Sequence, residues 1–331
     1  MDKRNRIELH NLSFLFLFSL LIILQLLFIN KVYAADTPKI YVANTQDNNI
    51  SVIDSGTNQV IKTIPVPTDP EGMAITLDDK IVYVGSNSTS SVTLINTLPN
   101  EVVYSVDVGG GSPDLTLTPD GSELLVAVPT QDYFSIIDTG SNKAVGKVAL
   151  PGVSAITIDP AGTYGFANSH YHADFSLNEF TVATNAMLFP INTKTFANAL
   201  SFSPDSKSLY FVLDGKKSVT VLDIFNKSVI AEIPVGNNPY AITFTHDGNT
   251  GLVVSRDDCT LTLFNPKTNQ VTATINVGTN PYAIAINRDD SKAYVVNEGS
   301  NNVSVVDLAS KKVIATIAVG KGPRNIVMQR V

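Results

Sequence analysis

Hydrophobic and polar residues alternate in short segments that recur along this chain at a nearly constant spacing. Six of these segments end in Asp or Asn, at positions Asp54, Asn96, Asp138, Asp223, Asn265 and Asp307. The steps between these ends are 42, 42, 85, 42 and 42 residues, so the step of 85 spans two repeats, one of them degenerate. Alternation with a period of two predicts β-strands. A period near 40 residues built from short strands is typical of a β-propeller with one four-stranded blade per repeat.

Counting the repeats predicts seven blades and therefore an all-β fold. Blades 2 to 7 are expected to begin near residues 71, 114, 154, 198, 240 and 282, with the degenerate fourth blade at about 154–197. The first unit begins with Ile40–Asn44, which matches a second strand. The chain ends on Asn325–Gln329, which matches a first strand. We therefore predict a seven-bladed β-propeller that is closed by pairing the C-terminal strand with the N-terminal strands, which removes exposed sheet edges.

The repeats carry a recognisable motif. Tyr41-Val42-Ala43-Asn44 and Tyr294-Val295-Val296-Asn297 each precede an alternating strand that ends in Asp, and Thr118-Pro119-Asp120-Gly121 forms a tight-turn sequence. Over about residues 39–331 the chain resembles the YVTN family of β-propeller repeat proteins, which includes archaeal and bacterial surface-layer-type proteins. The resemblance implies an extracellular or periplasmic propeller, and it brings no catalytic residues with it.

Residues 1–34 do not belong to the repeats. Basic residues near the start precede an apolar segment from Leu12 to Ile29 that few polar residues interrupt, and Val32-Tyr33-Ala34 follows. This order is typical of a secretory signal peptide cleaved before Ala35. The alternative is an uncleaved membrane anchor, because the apolar segment is nearly long enough to span a bilayer. We thus expect a propeller domain at residues 35–331, either secreted or otherwise extracytoplasmic, in the periplasm or on the cell surface.

Charge and cysteine content narrow the possible partners. Removing residues 1–34 takes away four basic and two acidic residues, which leaves 19 Lys+Arg against 28 Asp+Glu, a net charge of −9. An acidic protein repels phosphate backbones, which disfavours nucleic acid as a partner. Membrane contact is expected only through an uncleaved N-terminal segment. Cys259 is the single cysteine, so no intramolecular disulfide forms, and we expect a monomer.

Candidate chemistry lies first at one mouth of the channel. The residue after the turn that leads into each first strand should line that mouth. These residues are Glu71, Asp114, Ser154, Asn198, Tyr240, Tyr282 and Arg324. One interpretation is a hydrated channel with polar walls. The other is a site for a small ligand, in which Arg324, the one cation of the ring, contacts a ligand carboxylate or phosphate. Arg324 could instead neutralise Glu71.

The degenerate fourth blade contains a second candidate site. A segment longer than its counterparts runs from Ser169 to Glu179 and is predicted to form a loop. His170 and His172 would lie on one side of an extended segment. With Asp174 they would offer ligands suited to Zn or Cu, although His-X-His also occurs in loops that bind no metal. His246, in a turn on the opposite face, and Cys259 are interpreted as structural residues.

Three functional hypotheses follow from these observations. The first is a secreted binding module that recognises a protein, a glycan or a small molecule through its loop face and channel mouth. The second is a hydrolase or lyase with its site in the channel mouth, assisted by a divalent metal at the His170/His172 segment. The third is a structural component of the cell envelope, which the lack of an added anchoring domain disfavours. The propeller fold by itself does not distinguish them.

Overall fold

The computed structural model describes residues 37–171 and 174–330, and residues from Pro38 onward form a seven-bladed β-propeller. Each blade is a four-stranded antiparallel sheet. The strands are β1 (Lys39–Asn44), β2 (Asn49–Asp54), β3 (Gln59–Pro65), β4 (Pro70–Ile75), β5 (Ile81–Ser86), β6 (Ser91–Asn96), β7 (Glu101–Asp107), β8 (Leu115–Leu117), β9 (Glu123–Val126), β10 (Tyr133–Asp138), β11 (Lys143–Ala149), β12 (Ile156–Ile158), β13 (Tyr164–Tyr171), β14 (Asp174–Thr181), β15 (Met187–Asn192), β16 (Ala197–Phe202), β17 (Ser208–Leu213), β18 (Ser218–Asp223), β19 (Ser228–Pro234), β20 (Pro239–Phe244), β21 (Gly251–Ser255), β22 (Thr260–Asn265), β23 (Gln270–Asn276), β24 (Pro281–Ile286), β25 (Lys292–Asn297), β26 (Asn302–Asp307), β27 (Lys312–Ala318) and β28 (Pro323–Met328). One short 3-10 turn, Thr45–Asp47, follows β1. Among the described residues, no helix is long and apolar enough to cross a membrane.

The ring closes as predicted. The C-terminal strand β28 pairs antiparallel with β1, with Ile40 opposite Met328 and Val42 opposite Ile326, to give a sheet of order β28-β1-β2-β3. The innermost strands of successive blades contact one another around the channel, and β28 lies between β24 and β4. The prediction of seven blades and of closure through both ends of the chain is confirmed.

The recurrence of Asp or Asn at the end of the third strands has a structural cause. The side-chain oxygen of this residue accepts a backbone N–H two or three residues later and so shapes the turn into the outer strand. Asp54 accepts the N–H of Thr57 at 2.8 Å, and Asp138 accepts that of Ser141 at 2.7 Å. In the fourth blade Thr181 replaces the acid and contacts the hydroxyl of Thr184 instead. This replacement is why the fourth repeat is degenerate in sequence.

The hydrophobic core lies between the facing sheets of neighbouring blades. Buried residues of blades 1 and 2, such as Ile50 and Val84, form one cluster. Blades 2 and 3 form the next in the same way. A tyrosine on a second strand also crosses to the next blade and donates its hydroxyl to an asparagine in that blade's outer turn. These bonds join Tyr41 to Asn100 at 2.6 Å, Tyr83 to Asn142 at 2.6 Å and Tyr210 to Asn269 at 3.3 Å.

The fourth blade differs from the prediction in one respect. The segment expected to be a loop, from Ser169 to Glu179, instead lies mostly in β13 and β14. These strands remain paired as far as Tyr171 and Asp174. The second and third strands of this blade are therefore eight residues long, where those of the other blades have four to six. An antiparallel ladder satisfies the backbone N–H and C=O groups of these additional residues, which a loop would have left to water.

Candidate ligand site at the channel mouth

All seven residues predicted to ring the channel line one cavity of about 380 Å³. They come from seven different blades, because each stands at or near the start of an innermost strand. The face of the propeller that carries this mouth is called the upper face below. The volume falls within the range typical of small-molecule sites. The structure therefore brings Glu71, Asp114, Ser154, Asn198, Tyr240, Tyr282 and Arg324 together.

Two tyrosines and Glu71 form a directed chain of hydrogen bonds on one side of the cavity. The Tyr240 hydroxyl donates to the Tyr282 oxygen at 2.8 Å, and the Tyr282 hydroxyl donates to Glu71 Oε1 at 2.6 Å. The two rings are tilted by 53° with their centroids 4.4 Å apart. Desolvation raises the pKa of both phenols, with the negative charge of Glu71 adding to the effect. Both hydroxyls therefore keep their protons and act as donors at neutral pH.

Two arginines and two glutamates form the charged part of the same side. Arg324 donates from Nε to Glu298 Oε1 at 2.7 Å and from Nη1 to Glu71 Oε2 at 3.2 Å. Arg256 donates to the other oxygen of Glu298, and its guanidinium lies 4.7 Å from the centre of the Tyr240 ring. Hydrogen bonding to Glu298 and nearby negative charge keep the pKa of Arg324 above its usual range despite its desolvation. The charge of Arg324 is thus matched by two carboxylates, including Glu71 as the sequence suggested.

Asp114 lies on blade 3, next to the blade that carries Glu71, and has no cationic partner among the described residues. Its Oδ2 accepts the backbone N–H of Ile156 at 2.8 Å, so it also satisfies an edge group of the next blade's innermost strand. Desolvation raises the pKa of Asp114 to about 6. The N–H groups of Ile156 and Leu115 oppose this shift, and the charge of Glu71 adds to it. This carboxyl therefore changes its charge within about one pH unit of neutrality.

Ser154 and Asn198 form the uncharged side of the cavity. The Ser154 hydroxyl donates to Asn168 Oδ1 at 3.2 Å, and Asn198 Nδ2 donates to the Pro239 carbonyl at 3.3 Å. Thr116, on β8, also lines the cavity and donates to the Ile156 carbonyl at 2.7 Å. Asn198 and Thr116 thus join their own blades to the next one, whereas the Ser154 bond lies within the fourth blade.

Arg256 and Glu298 were not predicted to join the ring. They follow the second strands of blades 6 and 7 directly, and they stand 42 residues apart, at the same position of successive repeats. Asn87 occupies that position in blade 2, and its side-chain amide donates to Glu71. The sequence did contain a signal for this ion pair, because residues of opposite charge stand at one position of neighbouring repeats. Recognising it requires knowing that this position lies above the innermost strand of the adjacent blade.

The proposed metal ligands remain a prediction. His172 lies outside the described residues. His170 is on β13, where it pairs with Phe175, and Asp174 is on β14, where it pairs with Tyr171. Within the part of the chain that the structure describes, no group of three or more His, Cys, Asp or Glu side chains is placed to hold a metal ion.

The two residues interpreted as structural lie away from this cavity. His246 lies in the turn between β20 and β21, and its Nδ1 is 2.7 Å from Asp290 Oδ1 of the next blade. Cys259 is half-buried and has a positive φ of 56° in the turn before β22. Its thiol lies 3.7 Å from the Arg256 carbonyl. Both placements agree with structural roles in turns.

Comparison with known proteins identifies the fold and not the activity. No family model matches the chain, so the resemblance to the YVTN family is not confirmed, and no curated protein matches it either. A structure of a protein of unknown function from Desulfotomaculum acetoxidans is similar, with a TM-score of 0.78, 18% identity and coverage of 89% of this chain and 99% of that one. Hydrazine synthase of Kuenenia stuttgartiensis matches with a TM-score of 0.75 and 19% identity over 83% of this chain and 93% of that one. The dihydro-heme d1 dehydrogenase NirN in complex with DHE matches with a TM-score of 0.66 and 16% identity over 86% and 64% of the two chains. At these identities the similarity shows the propeller fold alone.

Proposed function

We propose that this protein is an extracytoplasmic binding module of the YVTN type, and that it recognises a small polar ligand in the cavity at its channel mouth. The observation that carries the proposal is the composition of the ring. Seven structurally equivalent positions hold five different polar residue types besides tyrosine, in a cavity of ligand size. Equivalent positions of a purely structural ring have equivalent tasks, so they have no reason to diverge in charge and size in this way.

The rigidity of the surroundings supports a binding role. Glu71 and Glu298 each accept two or more hydrogen bonds at the channel mouth. The Tyr282 hydroxyl accepts one hydrogen bond, from Tyr240, and donates another, to Glu71. Side chains that are already ordered lose little conformational entropy when a ligand binds. The cavity is therefore preorganised on its charged side.

A thermal-shift screen of the purified protein against small polar molecules tests the proposal. It should include sugars, polyols, amines, amino acids and carboxylates. Compounds that raise the melting temperature are then titrated against the wild type, Arg324→Ala, Tyr240→Phe and the control Asp132→Asn. Asp132 is exposed, lies in an upper-face loop and does not line the cavity. We expect the cavity variants to change the affinity for the compound and the control to leave it unchanged. If no compound binds, or if hits bind all four proteins equally, the cavity is not the site.

One observation favours a second candidate function, a hydrolase or lyase. Asp114 has a raised pKa of about 6 and lies in the wall of a cavity. This is the arrangement expected of a general acid or base. Incubating each bound compound with the protein and analysing it for conversion separates the two functions. Recovery of the compound unchanged supports a binding module. Turnover that Asp114→Asn abolishes supports the enzyme.

A further inference from the structure

The directions of the hydrogen bonds in the ring show which chemical groups the cavity still offers to a ligand. A hydroxyl has one proton to donate and two lone pairs to accept with. The Tyr282 proton is used on Glu71, and the Tyr240 proton is used on Tyr282. Glu71 fixes this direction, because its carboxylate also accepts from Arg324 and Asn87. At the free end of the chain, the Tyr240 oxygen can therefore only accept.

The uncharged side of the cavity likewise offers more hydrogen-bond acceptors than donors. The hydroxyl protons of Ser154 and Thr116 are used on Asn168 Oδ1 and on the Ile156 carbonyl. The Asn198 amide donates to the Pro239 carbonyl, and its Oδ1 takes no donor from the described residues. These three side chains therefore present mainly acceptor capacity, as the Tyr240 oxygen does.

The charges of the lining add to this asymmetry. Arg324 and Arg256 are matched by Glu71 and Glu298, so these four groups sum to zero. Asp114 remains, with one oxygen on the Ile156 N–H and, within the described part of the chain, no cation beside it. Among the described lining side chains, free donors belong to Arg324, to the neighbouring Asn325, whose Oδ1 accepts the Ile326 N–H, and to Asn198, which uses one of its two amide N–H groups on the Pro239 carbonyl. Arg324 and Asn325 stand on blade 1, across the ring from blades 4 and 5.

We propose that the ligand of this cavity is a small organic cation with a primary ammonium group, bound with Asp114 as its counter-ion and with uncharged acceptors of the ring receiving its remaining N–H donors. An ammonium supplies three donors and one positive charge. It therefore meets the two properties in which the cavity is unbalanced, its excess of acceptors and its unpaired carboxylate. An anion would meet arginines that already have partners, and it would lie in the same cavity as Asp114. This inference rests on the proposed function and specifies its ligand.

Four probes with the same four-carbon chain test the proposal by calorimetric titration. They are 1,4-diaminobutane, its fully N-methylated bis-quaternary analogue, 1,4-butanediol and succinate. The analogue keeps the charges but has no N–H, the diol keeps donors but has no charge, and succinate reverses the charge. We expect the diamine to bind at least about tenfold more tightly than each of the other three, since a charge-assisted hydrogen bond carries that much affinity.

Two measurements locate the diamine. Asp114→Asn keeps an acceptor for the Ile156 N–H while removing the charge, and it should weaken diamine binding about tenfold to a hundredfold. Asp132→Asn removes the same charge from an exposed loop of the same face and should leave the affinity unchanged. In case Asp114→Asn does not fold, the wild type alone gives the same answer. Its affinity for the diamine should fall as the pH is lowered through about 6, where Asp114 takes up its proton.

Several results would overturn the inference. If the bis-quaternary analogue binds as tightly as the diamine, the ligand does not need N–H donors. If succinate binds more tightly than the diamine, the cavity prefers anions to cations. Failure of the diamine to bind at millimolar concentration, or binding that Asp114→Asn and low pH do not weaken, also excludes the proposed site. A succinate-selective cavity would overturn only the ligand class and leave the binding function standing. A broad screen without any hit would remove the function itself.

Discussion

Replacing Asp114 by Asn should stabilise this protein at alkaline pH and have almost no effect near pH 4. The folded-state pKa of Asp114 is raised from 3.8 to about 6, mainly by desolvation. Folding therefore favours the protonated form. Ionised Asp114 destabilises the folded state at every pH above about 6, and this cost disappears as the pH falls from 6 towards 4. Asparagine stays neutral and avoids the cost while keeping an acceptor for the Ile156 N–H.

The size of the effect follows from the shift in pKa. A difference of about two units corresponds to about 3 kcal/mol of folding free energy once the group is fully ionised in both states. For a chain of this length, 1 kcal/mol changes the melting temperature by about 2 °C. We therefore expect Asp114→Asn to raise the melting temperature by about 6 °C at pH 8. At pH 4 the same substitution should change it by about 1 °C.

Calorimetric melting of the wild type and the variant at both pH values is the assay. Subtracting one protein from the other removes the groups common to both, including Glu71, Glu298, Arg256 and Arg324 around the same cavity. Asp132→Asn, on an exposed loop, should show no such dependence on pH. Equal shifts at pH 8 and pH 4, or a destabilised variant at pH 8, would refute the reasoning that Asp114 carries a desolvation cost.

Three further outcomes are expected. Deleting residues 323–331 removes β28 and leaves the inner edge of β1 unpaired, so the melting temperature should fall by about 10 °C or more; an unchanged value would contradict closure of the ring. Tyr83→Phe leaves Asn142 Oδ1 without its 2.6 Å donor and should cost about 1–2 kcal/mol in denaturant unfolding. Tyr104→Phe on the exposed outer strand serves as its control. An equal loss of unfolding free energy in both variants would show that the cross-blade bond does not stabilise the fold. N-terminal sequencing of protein from the medium or envelope should begin at or near Ala35; an intact N-terminus in the membrane fraction would instead support an anchor.

The blades could be predicted from the sequence because their determinants are local. Alternation with a period of two depends only on neighbouring residues, and the Asp or Asn at the end of each third strand acts within its own turn, as Asp54 does with Thr57. The ring at the channel mouth was also predictable. Once the period is known, equivalent positions in the repeats must be equivalent positions around the channel.

Contacts between blades could not be read in the same way, because they depend on how far each side chain reaches. Arg256 lies in a loop of blade 6, yet its partner Glu298 belongs to blade 7 and also binds Arg324 from blade 1. The fourth blade shows a related difficulty. Whether residues 169–179 form a loop or an extended hairpin depends on whether the two arms find a register, here Ser169 opposite Ser176. The amino-acid composition of residues 169–179 does not distinguish a loop from a hairpin.

The tyrosine bond between blades is not made at every junction of the ring. Leu125 stands on β9 opposite Ile136, as Tyr41 stands on β1 opposite Val52. Asn185 occupies the outer turn of the next blade, with the same positive φ as Asn100 and Asn142. Its buried Oδ1 has no donor among the described residues, in contrast to the partners of Tyr41 and Tyr83. The buried Oδ1 of Asn58 also has none there, although Tyr294 stands opposite Val305 in the preceding blade.

The residues of the channel mouth differ in how their charges are balanced. On one side Tyr240, Tyr282, Glu71 and Arg324 satisfy one another, and every charge there has a partner. Asp114, on the blade next to that of Glu71, has no cationic partner among the described residues, and its desolvated charge carries a cost in stability. Buried ionisable groups held at such a cost are concentrated at functional sites, because selection for folding alone would replace them with neutral residues. An Asp114→Asn variant that is more stable yet binds the diamine less tightly would show this conflict at a single residue. A variant that gained stability and kept full affinity would instead place the function of the ring elsewhere.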